Sequence, residues 1–138
     1  MEQFADYGHA LLALVIMAVL AQVLNAMTGI KKGKNKMIPG EGYTPDLSNP
    51  GYLLDRAYMN GVENLGIVAV VVFAAILAGA APLWVNILAS VILIARLAFT
   101  VIYMRGMGGG YGGLRTGMAV LSSIGVMGLA ILTLFSVL

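Results

Sequence analysis

The sequence predicts an all-α integral membrane protein, a bundle of four transmembrane helices, and three observations carry that prediction. Sixty per cent of the 138 residues are hydrophobic and ten per cent are charged. The mean hydropathy of +0.94 lies well above that of soluble domains. The apolar residues fall into four runs, roughly 8–30, 52–79, 83–105 and 115–138, each long enough for the roughly 20 residues that a helix needs to cross about 30 Å of hydrocarbon. Too little chain lies between the runs for a soluble domain, so 1–138 reads as one four-helix membrane domain.

The first run follows MEQFAD, which has no basic residue, and it is too long for a cleaved signal, so it is expected to remain as an anchor. The loop 31–51, KKGKNKMIPGEGYTPDLSNPG, contains four lysines, three prolines and four glycines and is expected to be irregular. Its closing SNP is a helix-start signal for the second run. The second and third runs are separated by a short turn, Ala80 to Leu83, with Pro82 at the reversal. Beyond Arg105 comes the glycine-rich RGMGGGYGG. Its amides have the freedom to approach an anion, but the spacing matches neither a Walker loop nor a dinucleotide fingerprint, and a hairpin tip is the plainer reading. Arg115 and Thr116 open the fourth run.

Lys31, Lys32, Lys34 and Lys36 share one side of the membrane with Arg105 and Arg115, while the opposite side carries no lysine or arginine. The positive-inside rule makes the basic loops cytoplasmic and turns both termini outward. Cysteine is absent, which excludes disulfides, thiolate metal sites and a cysteine nucleophile. With a single histidine, His9, no redox-metal set can be assembled from the spans; His9 itself reads as an interfacial residue. The basic residues are too few and scattered for a nucleic-acid footprint, and the chain has no internal repeat of the transporter kind. Trp84 and Tyr7 read as aromatic-belt anchors and Arg105 as a snorkelling residue. Gly61, Gly66, Gly117, Ser122, Gly125 and Gly128 are small residues of the kind that let membrane helices approach. Four short helices make a thin bundle, so an oligomer is expected.

Arg56, Asn60 and Glu63 share one face of the second helix, with Asn64 just off it. At 1.5 Å per residue Glu63 lies about 18 Å along that helix, where an unpaired charge costs about 3 kcal/mol. Arg96, about 14 Å from the basic end of the third helix, is at matching depth, and a Glu63–Arg96 pair is expected. Phe99 and Tyr103 continue the face of Arg96. Arg56, Asn60, Tyr103, Arg115 and Thr116 then converge near the inner leaflet. Such a cation-rich pocket with a phenol and a hydroxyl suits a small, multiply charged acid.

These same residues carry a resemblance. DRAYMNGVENL at 55–65, ARLAFTVIYMRG at 95–106 and LRT at 114–116 resemble the signatures of the MAPEG family, the membrane-associated proteins in eicosanoid and glutathione metabolism, and the chain looks like a bacterial-type member. The resemblance implies a homotrimer that binds glutathione as co-substrate between subunits and acts, as a transferase or peroxidase, on lipophilic electrophiles or hydroperoxides from the membrane. Carried across, it places Arg56, Asn60, Glu63, Arg96, Tyr103 and Arg115 at glutathione, with Arg115 stabilising the thiolate and Thr116 and Tyr103 near the sulfur. The prostaglandin E synthase of the family has an arginine where Met59 stands and a histidine where Phe99 stands, so the animal eicosanoid activities are poor expectations here. The alternatives are a non-catalytic trimer that binds lipid or a partner protein and, further off, a small multidrug exporter. Exporters of that kind carry their acid in the first span, where this chain has none.

Overall fold

The computed structural model describes residues 2–109 and 112–138. A short 3-10 turn, Glu2–Tyr7, leads into α1 (Gly8–Lys34), followed by α2 (Pro50–Leu77), α3 (Pro82–Met104) and α4 (Leu114–Val137). Each of the four is long and apolar enough to cross a membrane. The protein is an all-helical membrane bundle. Among the described residues there is no strand.

Local chemistry sets the helix ends. Asn49 caps α2 by accepting from the Gly51 N–H at 2.8 Å, and Pro50 occupies a first-turn position where its missing N–H costs nothing. Pro82 plays the same part in α3. The helix α1 continues a full turn past its apolar run, so that Lys31, Lys32 and Lys34 lie in its last turn rather than in the loop. Cations are favoured there because they face the negative end of the helix macrodipole.

The helices α2 and α3 form the centre, and α1 and α4 lie on opposite sides of that pair. Ala10, Ala13, Leu14 and Met17 of α1 meet Val68, Val72 and Ala75 of α2 and Val85, Ala89 and Ile92 of α3, with Leu129 closing the core from α4. Small residues make the α3–α4 approach possible. A Cβ on Gly125 would stand 2.6 Å from Ile92 Cγ1. Gly61, Gly66 and Gly117 face open space and serve no such contact within the chain. Gly125→Val is therefore expected to overpack this seam and lose about 1–3 kcal/mol, read as a lower melting temperature in detergent. Gly29→Ala, also facing open space, is expected to lose nothing.

Both ends of the bundle are fastened. Tyr7, expected as an exposed belt anchor, is instead buried, and its hydroxyl donates to the Ala80 carbonyl at 2.7 Å. The α2–α3 turn leaves that carbonyl unpaired by helix, so the phenol is better spent there than at a headgroup. Asn86 of α3 accepts from the Ala10 N–H and donates to the Asp6 carbonyl. His9 is exposed beside them. At the basic end, Lys32 and Asp55 form a salt bridge of 2.8 Å, which ties α1 to α2. Tyr43 lies 5.9 Å from the Lys32 ammonium, and its hydroxyl accepts from Asn35 at 3.0 Å. Its ring covers Gly51, where a Cβ would come within 2.6 Å. The irregular loop is thereby held across the mouths of α1 and α2.

Candidate functional site

Two polar groupings stand one above the other along α3, and a single apolar ring separates them. The deeper one is built around Arg96, which is 6 % exposed. Its Nε donates to the Ser122 hydroxyl at 2.8 Å. One terminal nitrogen donates to Asn60 Oδ1 at 2.7 Å and the other to Asn64 Oδ1 at 2.5 Å. Asn64 in turn donates to the Asn60 carbonyl one helical turn earlier, at 2.8 Å, which fixes its amide orientation.

This arrangement corrects the expected Glu63–Arg96 pair. Glu63 is exposed, and Arg96 is satisfied by three neutral acceptors from α2 and α4. The reason is helical rotation. Consecutive residues differ by about 100° around the axis, so when Asn60 and Asn64 face α3, Glu63 is turned away. Among the described residues the Lys32–Asp55 pair is the one salt bridge formed, and Arg96 remains a buried cation without a carboxylate.

The second grouping lies at the basic end. A cavity of about 520 Å³ is lined by Leu47, Tyr52, Phe99, Tyr103, Arg115, Thr116 and Ala119, within the range of small-molecule sites. The Arg115 guanidinium sits 4.7 Å from the Tyr103 ring centroid, a cation–π distance. The Tyr103 and Phe99 centroids are 5.5 Å apart, with the rings tilted by 41°. Phe99 in turn lies 5.8 Å from the Arg96 guanidinium. Cation, ring, ring and cation thus follow one another from Arg96 to Arg115.

The glycine-rich turn positions Arg115. Gly108 has φ +97°, a left-handed backbone that other residues rarely adopt, and a Cβ there would press on Arg115 Cγ and N at 3.3 Å. At Gly113 the Gly108 carbonyl comes so close that no side chain fits. The described part of this turn is a tightly folded support for the start of α4, more than a flexible tip; Gly110 and Tyr111 lie outside the described residues. The Thr116 hydroxyl accepts from the Gly112 N–H at 3.2 Å, which leaves its own proton free to donate into the cavity.

The expected site residues therefore divide. Tyr103, Arg115 and Thr116 line one cavity. Asn60 and Arg96 belong to the deeper cluster, Arg56 is half-buried one turn after Tyr52 without lining the cavity, and Glu63 faces outward. Three participants escaped sequence reasoning. Tyr52 precedes Arg56 by four residues, and that spacing was a usable sign. Asn64 was read as lying just off the polar face. Ser122 was read as a packing residue, although it follows Arg115 by two helical turns on the same face.

A family model described as the MAPEG family matches residues 8–135. No curated protein matches the chain.

Proposed function

The chain belongs to the MAPEG family, whose members include glutathione-dependent transferases and peroxidases, and from that premise we propose that it is a membrane-bound glutathione transferase or peroxidase acting on lipophilic electrophiles or hydroperoxides. The observation that carries the reading is Arg115. Its guanidinium lies over Tyr103 in a cavity whose lining, among the described residues, includes no carboxylate, so the cation is available to an anionic ligand.

The chemistry follows from the thiol. Free thiols titrate near about 8.5, and only the thiolate attacks. A guanidinium within hydrogen-bond reach favours the anion and so lowers the thiol pKa, without itself exchanging a proton. Thr116 and Tyr103 offer hydroxyl donors to the sulfur. With an electrophile, the sulfur displaces a leaving group or adds to a carbon. With a hydroperoxide, the thiolate takes the terminal oxygen and releases the alcohol, and a second glutathione converts the sulfenic acid to disulfide and water. Arg56 and Glu63, the accessible members of the expected set, would serve the charged ends of the tripeptide, with the site completed by a neighbouring copy in a homotrimer, while Arg96 and Asn60 hold the helices beneath it.

An exposed stripe on α2, Met59, Val62, Glu63, Gly66, Ile67 and Val70, supports the oligomer. Its spacing of three and four residues is that of a helix contact face, and its lone carboxylate cannot rest unpartnered in hydrocarbon. The basic end is read as cytoplasmic, with both termini outside.

Calorimetry on the purified protein tests the binding step. Glutathione is expected to bind, with the Kd weakened about tenfold or more by Arg115→Ala, the scale of a lost charge-assisted hydrogen bond. Absence of glutathione-dependent turnover with chlorodinitrobenzene and cumene hydroperoxide, despite an intact oligomer, would favour the alternative of a non-catalytic, lipid-binding member.

A further inference from the structure

The cavity at Arg115 has a composition that narrows its second substrate, and on the reading of the site just given we propose that this substrate is a flat, conjugated carbonyl compound of the quinone class, bound against an aromatic wall and polarised by Tyr52. Among the described residues of the lining, Tyr52, Phe99 and Tyr103 are aromatic rings and Leu47 and Ala119 are aliphatic. Each polar side chain among them can donate a hydrogen bond: two phenols, the Thr116 hydroxyl and the Arg115 guanidinium. Among the described residues this lining has no carboxylate to hold an amine or cation. It favours a planar molecule with oxygen acceptors, since ring faces stack on ring faces and donors seek carbonyl oxygens.

The two phenols enter the cavity from different helices. Tyr103 is engaged face-on by the Arg115 guanidinium at 4.7 Å and tilted against Phe99 at 5.5 Å, beside the cation assigned to the thiolate. Tyr52 comes from α2, close to the Asn49 cap and to the loop that brings Leu47 to the cavity rim. It is a half-buried phenol whose hydroxyl lies close to that of Tyr103, within the field of both Arg56 and Arg115. Its helix start is held in place, because the Asn49 cap and the Tyr43 ring over Gly51 fix the backbone just before it.

The reaction balances without any further oxidant or reductant. The glutathione thiolate adds to an unsubstituted ring carbon of the quinone, forming the S–C bond. The ring π pair moves onto the conjugated carbonyl oxygen, which takes the proton of the Tyr52 hydroxyl. Loss of the ring proton at the new S–C carbon to solvent, with protonation of the second oxygen, gives the hydroquinone thioether, and solvent returns the proton to Tyr52. Donors aimed at an oxygen where charge develops are worth about 10²–10³ in rate when well placed.

The test uses the purified full-length protein in detergent with 2-methyl-1,4-naphthoquinone as the quinone and 1-iodohexane as an electrophile that has no oxygen to accept a hydrogen bond. Thioether formation above the uncatalysed rate is expected for the quinone. The ratio of kcat/KM for quinone over iodide is expected to fall at least about tenfold in Tyr52→Phe, which keeps the ring and loses the donor. Tyr52→Leu, which also loses the ring, should raise the quinone KM further. No enzymic quinone conjugation, or an unchanged ratio in Tyr52→Phe, in a protein that binds glutathione by calorimetry would overturn this inference alone. A protein that binds no glutathione would overturn the reading of the site, and the inference with it.

Discussion

Arg115→Ala is expected to cut glutathione conjugation at neutral pH by about 10²–10³, the scale for removing one charged stabiliser of a reacting anion, while the helical bundle stays assembled. The side chain is only half-buried and lies on the cavity wall, over Tyr103 rather than in the core, so its loss is expected to act on the proposed activity without opening a packing defect. The pH profile gives the sharper readout. A guanidinium beside the sulfur depresses the thiol pKa in the complex, so activity is present above that depressed value. Without the cation the pKa returns toward about 8.5, and each unit of that rise costs tenfold in thiolate at a pH below it. The variant should therefore be poor at pH 7 and recover as the pH is raised, whereas the parent should already be level. Arg115→Lys retains the charge but not the planar fork and should fall between the two. A variant with the parent's rate and profile would remove Arg115 from the thiolate.

The fold was legible because hydrocarbon thickness dictates the length of an apolar run, and the four runs and the four helices agree to within a few residues. The difference at α1 arises because hydrophobicity reports where the membrane ends, whereas the helix ends where its hydrogen bonds do, one lysine-bearing turn later. The cavity was partly legible. Phe99 and Tyr103 are four residues apart, and Arg115 and Thr116 open the next helix at the same level, so depth alone brings Tyr103, Arg115 and Thr116 together. What depth cannot supply is rotation. Glu63 and Asn64 stand at nearly the same height, yet about 100° apart, and charge complementarity favoured the wrong neighbour. Which of the two meets Arg96 is decided by the packing of α2 on α1 and α3, a tertiary fact with no local sequence sign. The capture of Tyr7 by the Ala80 carbonyl is of the same kind, since the two are 73 residues apart.

Arg96→Leu is expected to lower stability by about 2–3 kcal/mol. Buried hydrogen bonds to charged groups contribute about 1.5–3 kcal/mol each in soluble proteins, but interhelical bonds in membranes average nearer 0.6, and three are lost together here. The cost is compounded because the Asn60 and Asn64 carbonyl oxygens and the Ser122 hydroxyl lose their partner inside the bundle. Apolar replacement of one acceptor should cost less, since Arg96 keeps the other two. Double-mutant cycles on thermal unfolding in detergent separate the possible partners. Arg96 with Asn60, and Arg96 with Ser122, should each show coupling of about 0.5 kcal/mol or more. Glu63→Gln with Arg96→Leu should be additive, because within one copy the carboxylate is turned outward. Coupling at Glu63 equal to that at Asn60 would mean that the acid reaches Arg96 from a second copy, and Arg96 would then be a contact between subunits rather than a clamp among α2, α3 and α4.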